Sequence, residues 1–261
     1  MHDHDDDHHR GLAFDMSTLL DRRRMFAVLG GAALLGLVGC GSGEGQQPAA
    51  ATSGSTGGKE IPDETAGPYP GDGSNGPNIL AQSGIVRSDI RSSFGSASGV
   101  AAGVPLLVEL TVTDDGAAYE GAAVYLWHCD RDGKYSMYSE GITGENYLRG
   151  VQEADANGVV RFTSIFPAAY SGRWPHIHFE VYTNLDAATS AAQTVKTSQL
   201  AFPEDACAKV YATSGYERSV SNMNQSSLEN DNVFGDGYTS QLATITGSVP
   251  KGYTAKLAVP V

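Results

Sequence analysis

Short runs of alternating apolar and polar residues follow one another through the second half of the chain. Side chains of a β-strand point alternately to its two faces, so each run predicts a strand with one buried face. Turn-forming stretches rich in Asp, Asn and Gly separate the runs, and Asn157-Gly158 is typical of a tight hairpin. The predicted strands cover residues 106–112, 123–128, 159–164, 177–182, 198–202 and 253–259.

Helical periodicity is scarce in the same region. Residues 202–210 and 227–232 favour short helices, and no long segment with a 3.6-residue repeat interrupts the strands. Successive strands without intervening helices are typical of two packed antiparallel sheets. The sequence therefore predicts an all-β fold, an antiparallel β-sandwich, in which long loops carry the functional site at one end.

The beginning of the chain has the pattern of an export signal. Arg22 and Arg23 resemble the pair of a twin-arginine signal, and a 14-residue apolar run at 25–38 follows that is too short to span a bilayer. The sequence Leu37-Val38-Gly39-Cys40 resembles the lipobox, the cleavage site of bacterial lipoprotein precursors. Whether translation starts at Met1 or at a later Met is left open.

These features divide the chain into three segments. We expect residues 1–39 to be removed as the signal, and Cys40 to carry the lipid that anchors the protein. Residues 40–60 are rich in Gly, Ser and Ala and form a flexible tether. Residues 61–261 form the folded domain, and 41% hydrophobic content over 261 residues is enough for one sizeable core.

The charge of the chain narrows the range of partners. The formal net charge is −13, which argues against nucleic acid and anionic lipid as binding partners. We therefore expect contact with the membrane only through the lipid anchor, with the domain exported and facing away from the cytoplasm. Charge says nothing about catalysis.

Three cysteines are present, and Cys40 is the predicted lipid attachment site. The remaining pair, Cys129 and Cys207, predicts one disulfide, because an even number of cysteines in an exported protein is commonly paired. Two buried free thiols are an alternative. A third option is that Cys129 binds a metal as a thiolate.

The strand that contains His176 and His178 carries the strongest chemical signal. The two imidazoles project from the same face about 6–7 Å apart at the backbone, so they can bind one metal ion. Ile177 and Phe179 take the opposite face and are expected to pack in the core. A pair of histidines that only hydrogen-bond to neighbours is the alternative. Tyr135 and Tyr170 lie in loops near the ends of predicted strands, where sites are usually built.

Three motifs together resemble the intradiol ring-cleavage dioxygenases, the family of catechol and protocatechuate dioxygenases. They are W-H-C-D-x-x-G-x-Y-S at 127–136, G-V-Q-E-A-D-x-x-G-x-V-x-F-T-S-I-F-P-x-x-Y at 150–170, and G-R-x-x-H-I-H-F at 172–179. The similarity extends from about Thr65 to the end of the chain and is greatest to small exported bacterial members. It implies an enzyme that uses O2 to cleave a catechol-type ring between its two hydroxyl-bearing carbons, giving a cis,cis-muconate-type diacid.

The resemblance also implies a ligand set and roles for neighbouring residues. The family binds non-haem Fe(III) through two tyrosinates and two histidines, which match Tyr135, Tyr170, His176 and His178. Phenolate oxygen is a hard anionic donor that favours Fe(III). By position Tyr170 is the axial ligand that substrate displaces, and it then acts as a base.

Three further positions match residues near the family's substrate site. Arg173 matches an arginine that can stabilise developing negative charge, although an ordinary salt bridge is the alternative. Gln199 and Tyr69 are expected to line the substrate pocket, and the match at Gln199 is weaker because the spacing differs by one residue.

Two departures from the family limit what can be carried over. The step from Tyr170 to His176 is only six residues, which removes part of the expected pocket wall, so the substrate catechol is left open. The helical N-terminal domain that supplies the dimer contact of catechol dioxygenases is not expected here, so the oligomeric state is also open.

Two other readings compete with the dioxygenase. A two-histidine, one-carboxylate Fe(II) site could use Glu180, but three ligands on one straight strand would span about 13 Å. The second is a lipid-anchored module that binds ferric iron or a catecholate without turnover.

Overall fold

The computed structural model describes residues 59–190 and 192–261, and these form two packed β-sheets with three short helices. The strands are β1 (Pro105–Asp114), β2 (Ala117–Ala118), β3 (Ala123–Trp127), β4 (Arg149–Glu153), β5 (Val159–Ile165), β6 (His176–Tyr182), β7 (Lys196–Ala201), β8 (Thr244–Ser248) and β9 (Gly252–Pro260). The helices are α1 (Leu185–Thr189), α2 (Glu204–Tyr211) and α3 (Glu217–Met223). The predicted all-β sandwich is confirmed.

The first sheet is built around β1. This strand pairs antiparallel with β2 and β5 and parallel with β9, and β9 pairs antiparallel with β8. The parallel pair departs from the purely antiparallel prediction. Parallel neighbours need a long crossover connection, and most of the chain separates β1 from β9.

The second sheet has the order β4-β3-β6-β7, and all its pairs are antiparallel. Register places His178 of β6 between Trp127 of β3 and Gln199 of β7. The predicted histidine strand is therefore an inner strand, which fixes its side chains more firmly than an edge position would.

The main core lies between the two sheets. On β6, Ile177, Phe179 and Val181 are fully buried there, and Val108 and Leu110 of β1 face them from the first sheet as part of the same apolar cluster. This confirms the predicted packing of Ile177 and Phe179.

The outer face of the second sheet is also buried. His176, His178, Glu180 and Tyr182 point to this face, and each is less than 4% exposed. A second apolar cluster covers the face, with Tyr125 and Trp127 of β3 and Ile79 and Leu80 of the preceding loops among its members. Long loops thus enclose the end of the sheet where β6 begins.

Six predicted strands are present with shifts of one or two residues at most of their ends, while β2, β4 and β8 were not predicted. The sequence of β4 lacks apolar alternation because Arg149 and Gly150 are buried in it. In β8 the side chains are largely exposed, so no apolar face marks the strand.

The helix predictions were partly wrong. The predicted helix at 202–210 overlaps α2, but 227–232 form turns, and α1 and α3 were missed. In the turn, the Ser227 N–H donates to Asn230 Oδ1 at 2.7 Å and the Asn230 N–H donates to Ser227 Oγ at 3.3 Å. Such side-chain bonds compete with the helical backbone ladder.

The predicted disulfide is wrong, because Cys129 and Cys207 are both free and buried. Cys129 belongs to the apolar cluster on the outer face, and its thiol points to Ala168 O at 3.7 Å. Cys207 lies on α2 in the main core. Burial raises the pKa of both thiols above its ordinary value, which makes a thiolate ligand at Cys129 unfavourable.

Residues from Ile61 onward pack into the sandwich. The Ile61 N–H donates to Pro260 O at 2.9 Å, and its side chain is buried in the core. The predicted signal at 1–39, the lipid site at Cys40 and nearly all of the tether at 40–60 lie outside the described residues. Within the described part of the chain, no helix is long and apolar enough to cross a membrane.

Candidate metal centre

The four predicted ligands come from three separate parts of the chain. Tyr135 follows the turn after β3, Tyr170 lies in the loop between β5 and β6, and His176 and His178 begin β6. The loops meet at the end of the second sheet, on its outer face. The fold therefore brings together residues up to 43 positions apart.

The turn before Tyr135 is held by Asp130. Its carboxylate accepts hydrogen bonds from the backbone N–H groups of Asp132 and Lys134, each at 2.9 Å. Gly133 has a φ of +80°, and a Cβ there would lie 3.2 Å from the Tyr170 Cβ. A glycine at this position lets the turn approach the Tyr170 loop closely.

The donor atoms of the four side chains converge. His176 Nε2 lies 3.1 Å from the Tyr170 hydroxyl, 3.5 Å from the Tyr135 hydroxyl and 3.1 Å from His178 Nε2. Tyr135 and both histidines are almost fully buried, whereas Tyr170 is partly exposed. Two oxygens and two nitrogens thus surround one point.

The His176 ring is fixed in the tautomer that a metal ligand needs. Its Nδ1 lies 2.5 Å from Trp174 O, and a carbonyl oxygen can only accept, so Nδ1 carries the proton. The lone pair is therefore on Nε2, which faces the other donors. Burial, and then the positive charge of Arg173, lower the pKa of His176 well below its ordinary value, so the ring stays neutral.

His178 is held by stacking rather than by a hydrogen bond to Nδ1. Its ring lies parallel to that of Trp127, with centroids 5.0 Å apart and an interplanar angle of 7°. Its Nδ1 is buried and has no hydrogen-bond partner among the described residues. Burial lowers the pKa of this ring too, with further contributions from His176 and Arg173.

The tyrosines need a strong positive charge to ionise. Burial raises the pKa of Tyr135 well above its ordinary value, and the neighbouring Tyr170 raises it further. A trivalent cation bound between the two hydroxyls would favour the phenolates by direct attraction. Two neutral imidazoles and two phenol oxygens therefore fit Fe(III) better than a softer metal.

The carboxylate alternative lacks its ligand set. Glu180 Oε2 accepts a hydrogen bond from the Tyr182 hydroxyl at 2.8 Å. In the described residues, no group of three or more His, Cys, Asp or Glu side chains is arranged to hold a metal. A two-histidine, one-carboxylate site with Glu180 is therefore not formed.

Arg173 is buried next to the centre. Its Nη1 lies 3.5 Å from His176 Nε2, and its Nη2 donates to Gln199 Oε1 at 2.7 Å. Its Nε forms an ion pair with Asp231 at 3.0 Å, and both side chains are almost completely buried. The salt bridge that sequence left as an alternative is present, and it places the guanidinium beside the donors.

The two predicted pocket residues make different contacts near the centre. The Tyr69 ring is partly buried and lies 5.0 Å from that of Tyr135, so it packs against a predicted ligand. Gln199 is fully buried, and its amide connects Arg173 to Thr65 O, to which it donates at 2.9 Å. Gln199 thus holds Arg173.

Sequence reasoning missed two residues of the site. Asp231 could have been suspected only as a carboxylate within Asn230-Asp231-Asn232, far from the other motifs. Trp127 lies in the first motif, but its stacking on His178 depends on strand register. His128 is not a ligand, because its two nitrogens contact Cys129 O and Ser164 Oγ, each at 2.7 Å.

Comparison with known proteins agrees with this geometry. A family model described as Dioxygenase matches residues 75–232, more than half of the chain, and that range contains all four donors. Chlorocatechol 1,2-dioxygenase from Pseudomonas sp. (strain P51) is 35% identical over 96 residues, a match that covers 30% of this chain and 38% of that protein. The chain therefore matches well under half the length of this curated relative.

The fold is also similar to that of solved structures. The intradiol ring-cleavage dioxygenase from Tetranychus urticae has a TM-score of 0.56 and 25% identity, covering 69% of this chain and 87% of that one. Its fold and the family match point to the same group of proteins. The chain belongs to the intradiol ring-cleavage dioxygenase family.

Proposed function

We propose that the protein is a non-haem Fe(III) intradiol dioxygenase. It uses O2 to cleave a catechol-type ring between the two hydroxyl-bearing carbons and releases a cis,cis-muconate-type diacid. The observation that carries the proposal is the convergence of the Tyr135 and Tyr170 hydroxyls and His178 Nε2 on His176 Nε2, all within 3.5 Å.

Tyr135, Tyr170, His176 and His178 would hold the iron. Bound Fe(III) would supply a Lewis acid that activates a catechol towards O2. The buried imidazoles offer lone pairs without first losing a proton. The two phenols supply the anionic oxygens that this ion prefers.

Tyr170 is the better candidate for a ligand that gives way to substrate. It is partly exposed, whereas Tyr135 is 2% exposed and packed within the outer apolar cluster. As a phenolate, Tyr170 would be a base within reach of a substrate hydroxyl. Tyr170 Oη would then hold one of the two protons that the catechol releases.

Arg173 supplies a fixed positive charge beside the reacting atoms. Arg stays protonated in proteins, and a buried guanidinium stabilises negative charge on nearby oxygen more strongly than an exposed one. Its Nη1 lies 3.5 Å from His176 Nε2, one of the four donor atoms. The module that binds iron without turnover is not favoured, because the matched family is one of dioxygenases.

The reaction can be tested with isotopic oxygen. The iron-loaded protein should convert catechol in ¹⁸O2 to a diacid that contains both labelled atoms, and His178→Ala protein should form none. A yellow semialdehyde would instead indicate cleavage beside the hydroxyl-bearing carbons, and iron and catechol binding without product would favour the binding module. Either result would overturn the proposal.

We also propose that the protein is an exported lipoprotein of a bacterial cell membrane, acting outside the cytoplasm on small catechols. The arginines before the apolar run and the lipobox that ends at Cys40 support this proposal. Cys40→Ala should move the protein from the membrane fraction to unprocessed or soluble material. An unchanged distribution in cell fractions would contradict the lipid anchor.

A further inference from the structure

Asp231 is a buried carboxylate with an unusually complete set of partners. It accepts hydrogen bonds from Arg173 Nε at 3.0 Å and from the Trp174 N–H at 2.7 Å. On its other oxygen it accepts from the N–H groups of Val233 at 2.8 Å and Phe234 at 3.2 Å. Its own loop thus holds the carboxylate rigidly, and the carboxylate holds the segment that leads into β6.

The pairing fixes the plane of the Arg173 guanidinium. Nε points to Asp231, and Nη2 lies 3.4 Å from the same carboxylate and 2.7 Å from Gln199 Oε1. A guanidinium is planar, so fixing two of its nitrogens also fixes the third. Nη1 is thereby directed to His176 Nε2 at 3.5 Å.

A second route connects the same carboxylate to a predicted ligand. Asp231 holds the N–H of Trp174, and Trp174 O accepts the proton of His176 Nδ1. Outer partners of this kind set the tautomer and the ring orientation of a metal-binding histidine. One carboxylate therefore orients both the arginine beside the centre and one of its imidazoles.

We propose that Asp231 is a positioning residue of the metal centre. It acts through Arg173, and through the Trp174 peptide on His176, and it touches neither iron nor substrate. This inference rests on the proposed dioxygenase function for its consequence in turnover, while the positioning itself is a property of the protein without metal.

The test is Asp231→Asn, which keeps the shape and replaces one acceptor oxygen by an NH2 group. That group faces either the Arg173 Nε–H and the Trp174 N–H or the N–H groups of Val233 and Phe234, so one set of hydrogen bonds is lost in either orientation and the anchor of the guanidinium is weakened. We expect kcat/KM for catechol to fall roughly 10–100-fold, the usual cost of losing such a partner. Asp89→Asn is the matched control, because Asp89 also pairs side-on with an arginine, Arg91, at the surface.

Two readouts separate positioning from a general structural effect. In the full chain prepared without iron, the Nε–H of Arg173 should give a slowly exchanging NMR signal in wild type and in Asp89→Asn protein, and lose it in Asp231→Asn protein. In a double-mutant cycle, adding Asp231→Asn to Arg173→Gln should lower kcat/KM by no more than about threefold, because only the route through the Trp174 peptide to His176 then remains.

The outcomes distinguish this inference from the proposed function. An unchanged Arg173 signal, or equal losses in kcat/KM with and without Arg173, would overturn the positioning role. Absence of turnover in the iron-loaded wild type would overturn the proposed function, while the NMR comparison would still decide the inference. If Asp231→Asn protein does not fold, the double variant, which contains no unpaired buried charge, is compared with Arg173→Gln protein instead. A difference in kcat/KM of more than about threefold between these two proteins would overturn the positioning role.

Discussion

At the scale of single residues, the sequence was most informative where the two-residue repeat of a β-strand decides which way a side chain points. Strand alternation alone placed His176 and His178 on one face and Ile177 on the other, and the structure confirms this. The tyrosines could not be placed that way, because loop conformation depends on contacts such as the Asp130 turn. Their pairing with the histidines was predicted only from resemblance to a family.

Asp231 shows the limit of such reasoning. It lies 58 positions from Arg173, and nothing in the local sequence marks it as the partner of a buried arginine. The disulfide prediction failed for a related reason. An even number of cysteines carries no information about how far apart they lie in the fold. Cys129 and Cys207 lie in different apolar clusters.

Tyr170→Phe removes the hydroxyl proposed to leave the metal and accept a substrate proton. We expect iron to remain partly bound through the other three ligands, and kcat to fall about 100-fold or more, because a general base is lost. Metal analysis and oxygen uptake measure the two effects. Tyr119→Phe, remote from the centre, is the matched control, and unchanged turnover in Tyr170→Phe protein would refute the role.

His178→Ala removes a proposed ligand and leaves Trp127 with a gap in place of its stacked ring. Purified protein should contain little iron, as measured by metal analysis. His128→Gln serves as the control, since both nitrogens of His128 are bonded within the protein and burial lowers its pKa to about 4. Stoichiometric iron in His178→Ala protein would exclude His178 from the ligand set.

At the scale of elements, the strands with alternating apolar residues were predictable and the others were not. β1 and β9 alternate clearly, whereas β4 buries Arg149, whose guanidinium donates to Pro70 O and Tyr69 O. A buried arginine within a strand is satisfied by tertiary contacts that no local pattern reveals. β6 is buried on both faces, so one of its faces packs in the core and the other carries the two histidines of the candidate metal centre.

Ile177 of β6 is fully buried between the two sheets, so we expect it to contribute strongly to stability. Ile177→Ala should lower the free energy of unfolding by about 2–5 kcal/mol, because it leaves a cavity between the sheets. Urea denaturation of the iron-free protein measures the loss. Thr246→Ala on the exposed strand β8 should cost less than about 1 kcal/mol. Equal losses in the two variants would contradict the assignment of the core.

At the scale of the whole molecule, composition and pattern were enough for the fold class. Two sheets, few helices and loops gathered at one end follow from short strands separated by turns. The parallel pairing of β1 with β9 was not predictable, because it joins two segments that are far apart in the sequence. The covering of the second sheet by residues before β1 was also not predictable, since those residues lack regular periodicity.

The residues before β1 also include a buried carboxyl group, that of Glu64, whose ionisation should make the stability of the fold depend on pH. Glu64 is 6% exposed and accepts a hydrogen bond from Gln241 Nε2 at 3.3 Å. Burial, and then the negative charge of Asp236, raise the pKa of Glu64 from 4.5 to about 8. The folded state thus keeps a proton that the unfolded state releases, so stability falls as pH rises between these values.

Glu64→Gln should remove the part of the pH dependence of stability that comes from this carboxyl group. One proton contributes a slope of at most about 1.4 kcal/mol per pH unit, and the variant should show a flatter decline between pH 5 and 8, values set by the two pKa limits. Urea denaturation of the iron-free protein across that range measures it. Glu120→Gln, at an exposed position, is the control. An identical slope in wild type and Glu64→Gln protein would contradict the protonated carboxyl.

The most direct test of the whole account is the visible absorption spectrum of the purified, iron-loaded protein before and after anaerobic addition of catechol. Charge transfer from the two tyrosinates to Fe(III) should give a wine-red colour, catechol should shift it to longer wavelength, and admitted O2 should remove the shift as diacid forms. A colourless protein, or one whose colour does not respond to catechol, would contradict the assignment of Tyr135 and Tyr170 as ligands.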